Sequence, residues 1–395
     1  MKILFLDQSG KLGGAELSLL DLATAFRETC LVGLFADGPF HAALAQRHIP
    51  VQVLTQQMVN VSKDTGWLKG VASLRALLPL ISTTTQLAKN YDVIYANTQK
   101  ALVVGAIVAF LSRRPLVYHL RDILSADHFS STNLRIAITL ANRFASLVIA
   151  NSQATADAFL QAGGRSELVK VIYNGFDVET YRQLAQQGRQ TQQAWKQEIG
   201  LENHFIVGHF SRLSPWKGQH VLIDAIAQCP DSIAAVLVGD ALFGETDYVQ
   251  QLHQQVDRLG LRDRVKFLGF QQNVPQLMAA CDLVAHTSTA PEPFGRVITE
   301  AMLCGTPIVA AAAGGAVELV HDRRTGWLTE PSNSKQLATV IREAATQPET
   351  LNQLRQAALE SASQNFSIRN TVTQIHHALD ELTDVKALHP LKSLG

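Results

Sequence analysis

Asp92-Val-Ile-Tyr-Ala96 and Ala234-Ala-Val-Leu-Val-Gly239 decide the fold. Each is apolar at consecutive positions instead of alternating with polar residues. A strand of that kind must be buried on both faces, which happens in a parallel sheet covered by helices. Outward from these two runs, similar segments fall near 2–7, 30–35, 50–54, 91–96, 115–120, 146–150 and 169–173. A second series lies near 204–210, 233–239, 264–268, 282–287 and 306–311, with helical patterns between. Two successive β/α series predict an α/β protein with two Rossmann-like, doubly wound parallel-sheet domains. The length agrees: 395 residues exceed one ordinary core and suit two domains of roughly 150–200 residues.

Hydrophobic residues at 47% and charged residues at 17% exclude a disordered chain. Lys plus Arg (34) balances Asp plus Glu (34). Residues 1–180 hold 16 basic and 13 acidic side chains, too slight a surplus to predict a nucleic-acid partner. It is compatible with weak contact with an anionic membrane or acceptor, or with ordinary surface scatter. Cys30, Cys229, Cys281 and Cys304 lack metal-ligand spacing and read as small buried hydrophobes in a reducing compartment. The first residues run straight into a strand without signal-peptide architecture. No apolar run reaches the roughly 18 residues that span a bilayer; Ala101 to Leu111 comes closest and reads as a buried helix. The expected location is cytoplasmic, with the inner face of the membrane as an extension of it. From Lys63 to Leu80, Lys63, Lys69 and Arg75 alternate with Trp67, Leu68 and Leu74, which suits either a membrane face or core packing.

Residues 177–203 are polar, Gln-rich from Gln183 to Gln197, and read as an exposed helix. Asn174-Gly175-Phe176-Asp177 reads as a hinge, its Asn-Gly as turn chemistry and Asp177 as a cap. The expected domains are therefore 1–176 and 177–365, followed by a terminal segment, 366–395. Ile368, Val372, Ile375, Leu379 and Leu382 fall on one helical face there, which requires a partner surface.

After the first strand, Gln8-Ser-Gly-Lys-Leu-Gly-Gly-Ala-Glu16 leads into a helix expected near Leu17. Gly13 and Gly14 would let a ligand approach the backbone and the amides of the helix start. The spacing matches neither GxGxxG nor a Walker loop, which weakens the dehydrogenase and P-loop readings. In Val117-Tyr-His-Leu-Arg-Asp122, His119 ends a strand at the edge where open sheets bind ligands. Its neutral ring would hydrogen-bond a sugar hydroxyl, or else be a satisfied structural histidine. Arg121 and Asp122 would hold an acceptor or each other, and Asn97 ends an earlier strand on the same edge. Asn151-Ser152 reads as a helix cap.

In the second series, Arg212 and Lys217 sit in Gly208-His-Phe-Ser-Arg-Leu-Ser-Pro-Trp-Lys-Gly218, before a helix. Two cations beside helix-start amides suit a diphosphate. Ala290-Pro-Glu-Pro-Phe-Gly-Arg-Val-Ile-Thr-Glu-Ala-Met302 places Glu292 and Glu300 on either side of a turn shaped by Pro293 and Gly295. A helix is expected to start around Gly295, with Phe294 in the turn and the amides of Gly295, Arg296 and Val297 facing phosphate oxygens. That helix climbs about 7.5 Å to Glu300, a reach from diphosphate to ribose, with Glu292 left near the sugar. Gly314 and Gly315 read as structural, and Phe267 to Asn273 as a base pocket built on backbone.

With these motifs assembled, the chain resembles the family-4 retaining glycosyltransferases with the GT-B fold. Gly13-Gly14-Ala15-Glu16, Asn174-Gly175-Phe176-Asp177, Arg212 through Lys217-Gly218, and Glu292-Pro293-Phe294-Gly295 ending at Glu300 carry the resemblance in order and spacing. It implies an acceptor domain, 1–176, and a donor domain, 177–365, facing across a cleft, with the terminal helix packing back on the first. It implies a diphosphate held by Arg212, Lys217 and the Gly13–Gly14 turn, Glu300 on ribose, Glu292 on the donor sugar and His119 near the transferring sugar. The implied reaction moves a sugar from a nucleoside-diphosphate sugar to a hydroxyl of a glycan, lipid or small-molecule acceptor. The sugar nucleotide is a co-substrate, and no cofactor is expected. Gly239-Asp240-Ala241-Leu242 departs from the family's frequent Gly-Pro after Gly-Asp. An Asp-x-Asp triplet is missing, which predicts metal independence. The competing readings are a nucleotide-sugar epimerase and a non-catalytic sugar-nucleotide-binding subunit.

Overall fold

A computed structural model of the protein describes residues 1–55, 67–125, 129–241 and 244–388, the side chains of 67–76 and 383–388 excepted. Lys63, the side chains of Trp67, Leu68, Lys69, Leu74 and Arg75, Leu242, and the terminal residues 389–395 lie outside the described residues. The chain divides into two compact units, 1–176 with 368–395, and 177–367.

The first unit runs β1 (Ile3–Asp7), α1 (Gly14–Ala25), β2 (Cys30–Leu34), α2 (Pro39–Gln46), β3 (Val51–Val53), α3 (Trp67–Ala88) and β4 (Val93–Ala96). It continues through α4 (Gln99–Ser112), β5 (Leu116–Leu120), α5 (Ser131–Phe144), β6 (Ala145–Ala150), α6 (Gln153–Gln161) and β7 (Val169–Val171). Among the described residues these strands form one seven-stranded parallel sheet, ordered β3-β2-β1-β4-β5-β6-β7. The pleat sends Ile3 and Phe5 into one core with Tyr95 and Val117. It sends Leu4 and Leu6 into the other with Ile94 and Tyr118. Two apolar faces per strand are what the continuous runs required.

The second unit runs α7 (Val178–Glu198), β8 (Phe205–Phe210), α8 (Gln219–Ile226), β9 (Ile233–Val238), α9 (Thr246–Arg258), β10 (Val265–Gly269), α10 (Val274–Ala280) and β11 (Leu283–His286). Then come α11 (Arg296–Leu303), β12 (Ile308–Ala311), α12 (Ala316–Leu319), β13 (Trp327–Thr329), α13 (Ser334–Thr346) and α14 (Pro348–Asn365). The chain closes with α15 (Ile368–Leu388), which belongs to the first unit. Among the described residues the second sheet has six parallel strands, ordered β10-β9-β8-β11-β12-β13. Strand β13 is an addition to the sequence reading. Its three residues lie between Gly326 and Glu330 outside any longer apolar run, and they pair with β12.

Several expectations change in detail. Helix α1 begins at Gly14, three residues before the expected Leu17, because Glu16 caps its start. Helix α7 is capped by Asp177, whose Oδ1 accepts the Thr180 amide at 3.3 Å, but only part of it is exposed. Its Lys196 pairs with Asp282 at 2.7 Å, and its Gly188 lies against α10. Gly175 makes no left-handed turn; a Cβ there would stand 2.6 Å from the Ile368 Cα, so the glycine admits the start of α15. The apolar face of α15 has its partner in the β1–α1 side of the first unit, where Ile375 and Leu379 are buried and His376 stacks on Phe26. Helix α4 is buried or half-buried from Ala101 to Ala109, whereas Lys100 is exposed at its start and Phe110, 72% exposed, and Leu111 are at the surface near its end. Among the described residues no helix is long and apolar enough to cross a membrane.

The close packing of α7 on α10 is testable at Gly188. A Cβ there would meet the Gln276 carbonyl oxygen at 2.1 Å, and both partners are backbone in rigid helices. Gly188→Ala is expected to destabilise the protein by about 1–3 kcal/mol in denaturant melts. Exposed Gln186→Ala is expected to stay within about 0.5 kcal/mol. Equal, small effects from both would show that the two helices do not meet so closely.

Candidate functional site

Each sheet reverses its direction of winding once. In the second unit the chain passes outward from β8 to β9 and β10, then returns to the other side of β8 with β11. The loops after β8 and β11 therefore leave the adjacent strand ends in opposite directions, the place where open sheets hold ligands. The loop after β8 carries Arg212, Trp216 and Lys217; the loop after β11 carries Glu292.

These two loops are bonded to one another. The Thr289 amide donates to the Trp216 carbonyl at 2.8 Å, and the Thr287 hydroxyl donates to the Gly218 carbonyl at 2.8 Å. Gly218 has φ 72°, and any Cβ would lie 1.9 Å from the Thr287 carbonyl oxygen, so this position requires glycine. The clamp delivers the Lys217 ammonium to both oxygens of Glu292, at 3.0 and 2.8 Å. The same nitrogen sits 4.0 Å from the Trp216 ring centroid, and the Arg212 guanidinium 5.8 Å from it. Ser288 donates to Glu292 Oε2 at 3.0 Å, and His286 Nε2 donates to it at 3.2 Å. Burial alone would raise the Glu292 pKa, but the Lys217 charge and the His286 bond hold it well below the usual carboxylate range. Behind this group His209 is fully enclosed, and burial pushes its pKa down to about 3. Gly314 closes the site from the loop after β12: its φ is 63° and a Cβ would lie 2.3 Å from the Glu292 carbonyl oxygen.

In the first unit the winding reverses between β1 and β4. Asp7 ends β1, Asn97 follows β4, and His119 and Arg121 mark the end of β5. Asn97 Nδ2 donates to Asp7 Oδ2 at 2.6 Å and lies 3.3 Å from the Ala15 carbonyl. Arg121 Nε donates to Asn97 Oδ1 at 2.6 Å, and its NH1 donates to Asn174 Oδ1 at 2.7 Å. Its NH2 reaches His119 Nδ1 at 3.2 Å, where the Tyr95 hydroxyl also arrives at 2.6 Å. Burial, followed by the charge of Arg121, holds His119 well below its ordinary range, so the ring is neutral. Its Nε2 is buried with no hydrogen-bond partner among the described residues.

The structure thus brings Lys217 to Glu292, and Arg121 to His119 and Asn97. Arg296 Nε donates to Glu300 Oε1 at 3.2 Å, one helical turn apart. Three readings are corrected. The Gly13 amide is taken by Glu16 Oε2 at 3.0 Å, so it does not await a ligand. The Phe294 side chain is buried against Phe366, leaving only its backbone to a ligand. Gly295, at φ 96°, is the N-cap of α11, in agreement with a helix start around it. Asn97 and Arg121 are buried and committed to partners inside the unit, whereas Asp122 is exposed. Val297 is half-buried in the first turn of α11. Asp7, Tyr95, His286 and Ser288 join the site without having been singled out by the sequence, and Asn174 and Trp216 join it from motifs read for other roles. A polar residue directly after or within an apolar run was the available signal.

The description "Glycosyltransferase Family 4" matches residues 12–180, and "Glycosyl transferases group 1" matches 191–361. The solved structure of Anabaena Alr3699/HepE in complex with UDP-glucose is 58% identical. That similarity covers 96% of this chain and 100% of that one, with a TM-score of 0.87. Spore coat protein SA of Bacillus subtilis is 31% identical over 210 residues, or 50% of this chain; the alignment spans 54% of that protein, about half its length. D-inositol 3-phosphate glycosyltransferase 1 of Catenulispora acidiphila is 29% identical over 381 residues, covering 90% of this chain and 87% of that protein.

The Asp7–Glu16 pair gives a pH test. Burial raises both carboxyls, Asp7 to about 6 and Glu16 to about 7, with Asp7 adding to the rise at Glu16. A folded pKa above the unfolded one means that the native state holds the extra proton, so stability declines as pH rises. For Glu16 the window runs from its unperturbed 4.5 to about 7. Glu16→Gln keeps an oxygen for the Gly13 amide and removes the titration. Its stability relative to wild type should therefore increase across that window in urea melts at stepped pH. A difference that stays flat, or shrinks, contradicts the assignment.

Proposed function

The chain belongs to the family-4 glycosyltransferases of the GT-B fold, and we propose that it transfers glucose from UDP-glucose to an acceptor hydroxyl with retained anomeric configuration and without a bound metal. The observation that carries this reading is 58% identity, over 96% of the chain, to a protein whose structure holds UDP-glucose.

The second unit supplies the chemistry for the nucleotide. Arg212 and Lys217 meet the diphosphate, joined by amides at the start of α11. The Lys217 ammonium contacts both oxygens of Glu292, and its remaining N–H capacity can take a phosphate oxygen. Negative charge grows on that phosphate as its bond to the sugar breaks, so the cations bind the transition state more tightly than the ground state. Glu300 accepts the ribose hydroxyls, and Glu292 orients the sugar. Glu292 is a poor base, since Lys217, His286 and Ser288 already occupy its oxygens. The acceptor oxygen therefore forms its bond to the anomeric carbon on the face that the diphosphate leaves, and its proton passes to a phosphate oxygen of the departing UDP. In the first unit His119 donates Nε2–H to a sugar oxygen, and exposed Asp122 meets the acceptor, a hydroxyl of a glycan, lipid-linked or small-molecule compound.

UDP-glucose should raise the melting temperature, with GDP- and ADP-glucose giving smaller shifts at equal concentration. UDP release in excess chelator should match that in its absence. Arg212→Ala and Lys217→Ala should each lower turnover by about 10²-fold or more. Near-normal rates in both variants would remove the diphosphate from this site, and strict dependence on added Mn or Mg would overturn metal independence.

A further inference from the structure

We propose that Tyr95 and Arg121 are positioning residues that confine the His119 proton to Nε2, so that the ring acts in transfer only as a donor to a sugar oxygen. This rests on the role proposed above for His119, and it adds the groups that give the ring its one usable atom.

The two ring nitrogens have different surroundings. At Nδ1 the Tyr95 hydroxyl stands at 2.6 Å and Arg121 NH2 at 3.2 Å. A guanidinium nitrogen donates and never accepts, so Nδ1 must present its lone pair to it. A proton on Nδ1 would set N–H against N–H beside a positive charge. Arg121 cannot swing away without giving up Asn97 at 2.6 Å and Asn174 at 2.7 Å. Tyr95 is fully buried, its ring edge-on to Phe5 at 4.9 Å between centroids, and burial keeps its hydroxyl protonated. The neutral ring then carries its proton on Nε2, the buried atom with no partner among the described residues. Buried donors are rarely left unpaired, which points to an oxygen arriving with the substrate. The ring cannot also be the base that takes the acceptor proton, because its remaining lone pair faces Tyr95 and Arg121. The carboxyls whose charge bears on Arg121, those of Asp7 and Glu16, act through the guanidinium rather than on the ring.

The full chain labelled with ¹⁵N-histidine tests this directly, His119 being identified by the signals lost in His119→Gln. The expected spectrum shows a pyridine-like Nδ1 and a pyrrole-like Nε2, unchanged from about pH 6 to about pH 8. The reversed pattern, or an imidazolium within that range, overturns the proposal whatever the activity. Tyr95→Phe removes only the hydroxyl. It should lower kcat for UDP release from UDP-glucose by about fivefold to tenfold, leave KM nearly unchanged and move both nitrogen signals toward their mean. Wild-type kcat together with wild-type nitrogen shifts in Tyr95→Phe would also overturn it. Should that variant not fold, His119→Gln, which keeps a donor near Nε2, is compared with His119→Asn, which reaches only the Nδ1 position. Higher turnover in the Gln variant is expected, and equal turnover counts against the proposal. Full activity in His119→Ala would instead defeat the sugar contact itself, while the nitrogen shifts would still report where the proton sits.

Discussion

A charge withdrawn from water must find its counter-charge and hydrogen bonds inside the protein, and this requirement shapes both units at the same topological position. In the second sheet the reversal between β8 and β11 is bridged by Lys217 and Glu292. In the first sheet the reversal between β1 and β4 is bridged by Asp7 and Asn97, with Arg121 completing the set from the end of β5. Removing Lys217 would leave the Glu292 carboxylate buried without its counter-charge, at a cost of about 3–5 kcal/mol. The loops that carry these residues are therefore fixed by the charges they bring together. Gly218 and Gly314 extend the same constraint to the backbone, for each sits where a neighbouring carbonyl oxygen leaves no room for a Cβ.

The two networks produce opposite chemical characters. Around Glu292 three donors converge on one carboxylate and keep it ionised, a fixed negative charge with little capacity left to take a proton. Around His119 the donors converge on one ring nitrogen and keep the ring neutral, leaving the other nitrogen without a partner. Neither group is poised near neutrality as a general base would be. Under the proposed function both would hold a ligand in one orientation, and the rate advantage would come from positioning and charge.

The parts of the fold that were legible in the sequence are those set by local pattern. Continuous apolar runs gave the strands because burial on both faces leaves no other composition, and Asp177 and Ser152 gave helix starts because capping is local. Strand β13 was not legible, since Trp327-Leu-Thr329 stands between Gly326 and Glu330 with no longer apolar run around it. The charged motifs were legible as a set, but their partners were not. Asp7 meets Asn97 across 90 positions, and Arg121 meets Asn174 across 53. Trp216 sat inside a quoted motif, yet its place beside both cations depends on how the loop after β8 turns. The Gly13 amide and the Arg121 guanidinium have the same character: each is a polar group beside a strand end that the protein itself uses, through Glu16 in one case and Asn97 and Asn174 in the other.

That internal use marks the physical difference between the two kinds of polar residue in these crevices. Arg121 has all three guanidinium nitrogens directed at protein groups and is 8% exposed, so it can influence a substrate only through what it holds. His119 is more deeply buried still, at 2%, but one of its two nitrogens has been left over. Burial alone does not separate scaffold from site; the inventory of donors and acceptors does. By that inventory Lys217 stands between the two, its ammonium held on one side by both oxygens of Glu292 and on another by the face of Trp216. An ammonium anchored in this way has little freedom left to lose, so under the proposed function more of its interaction with a phosphate would be available for the transition state.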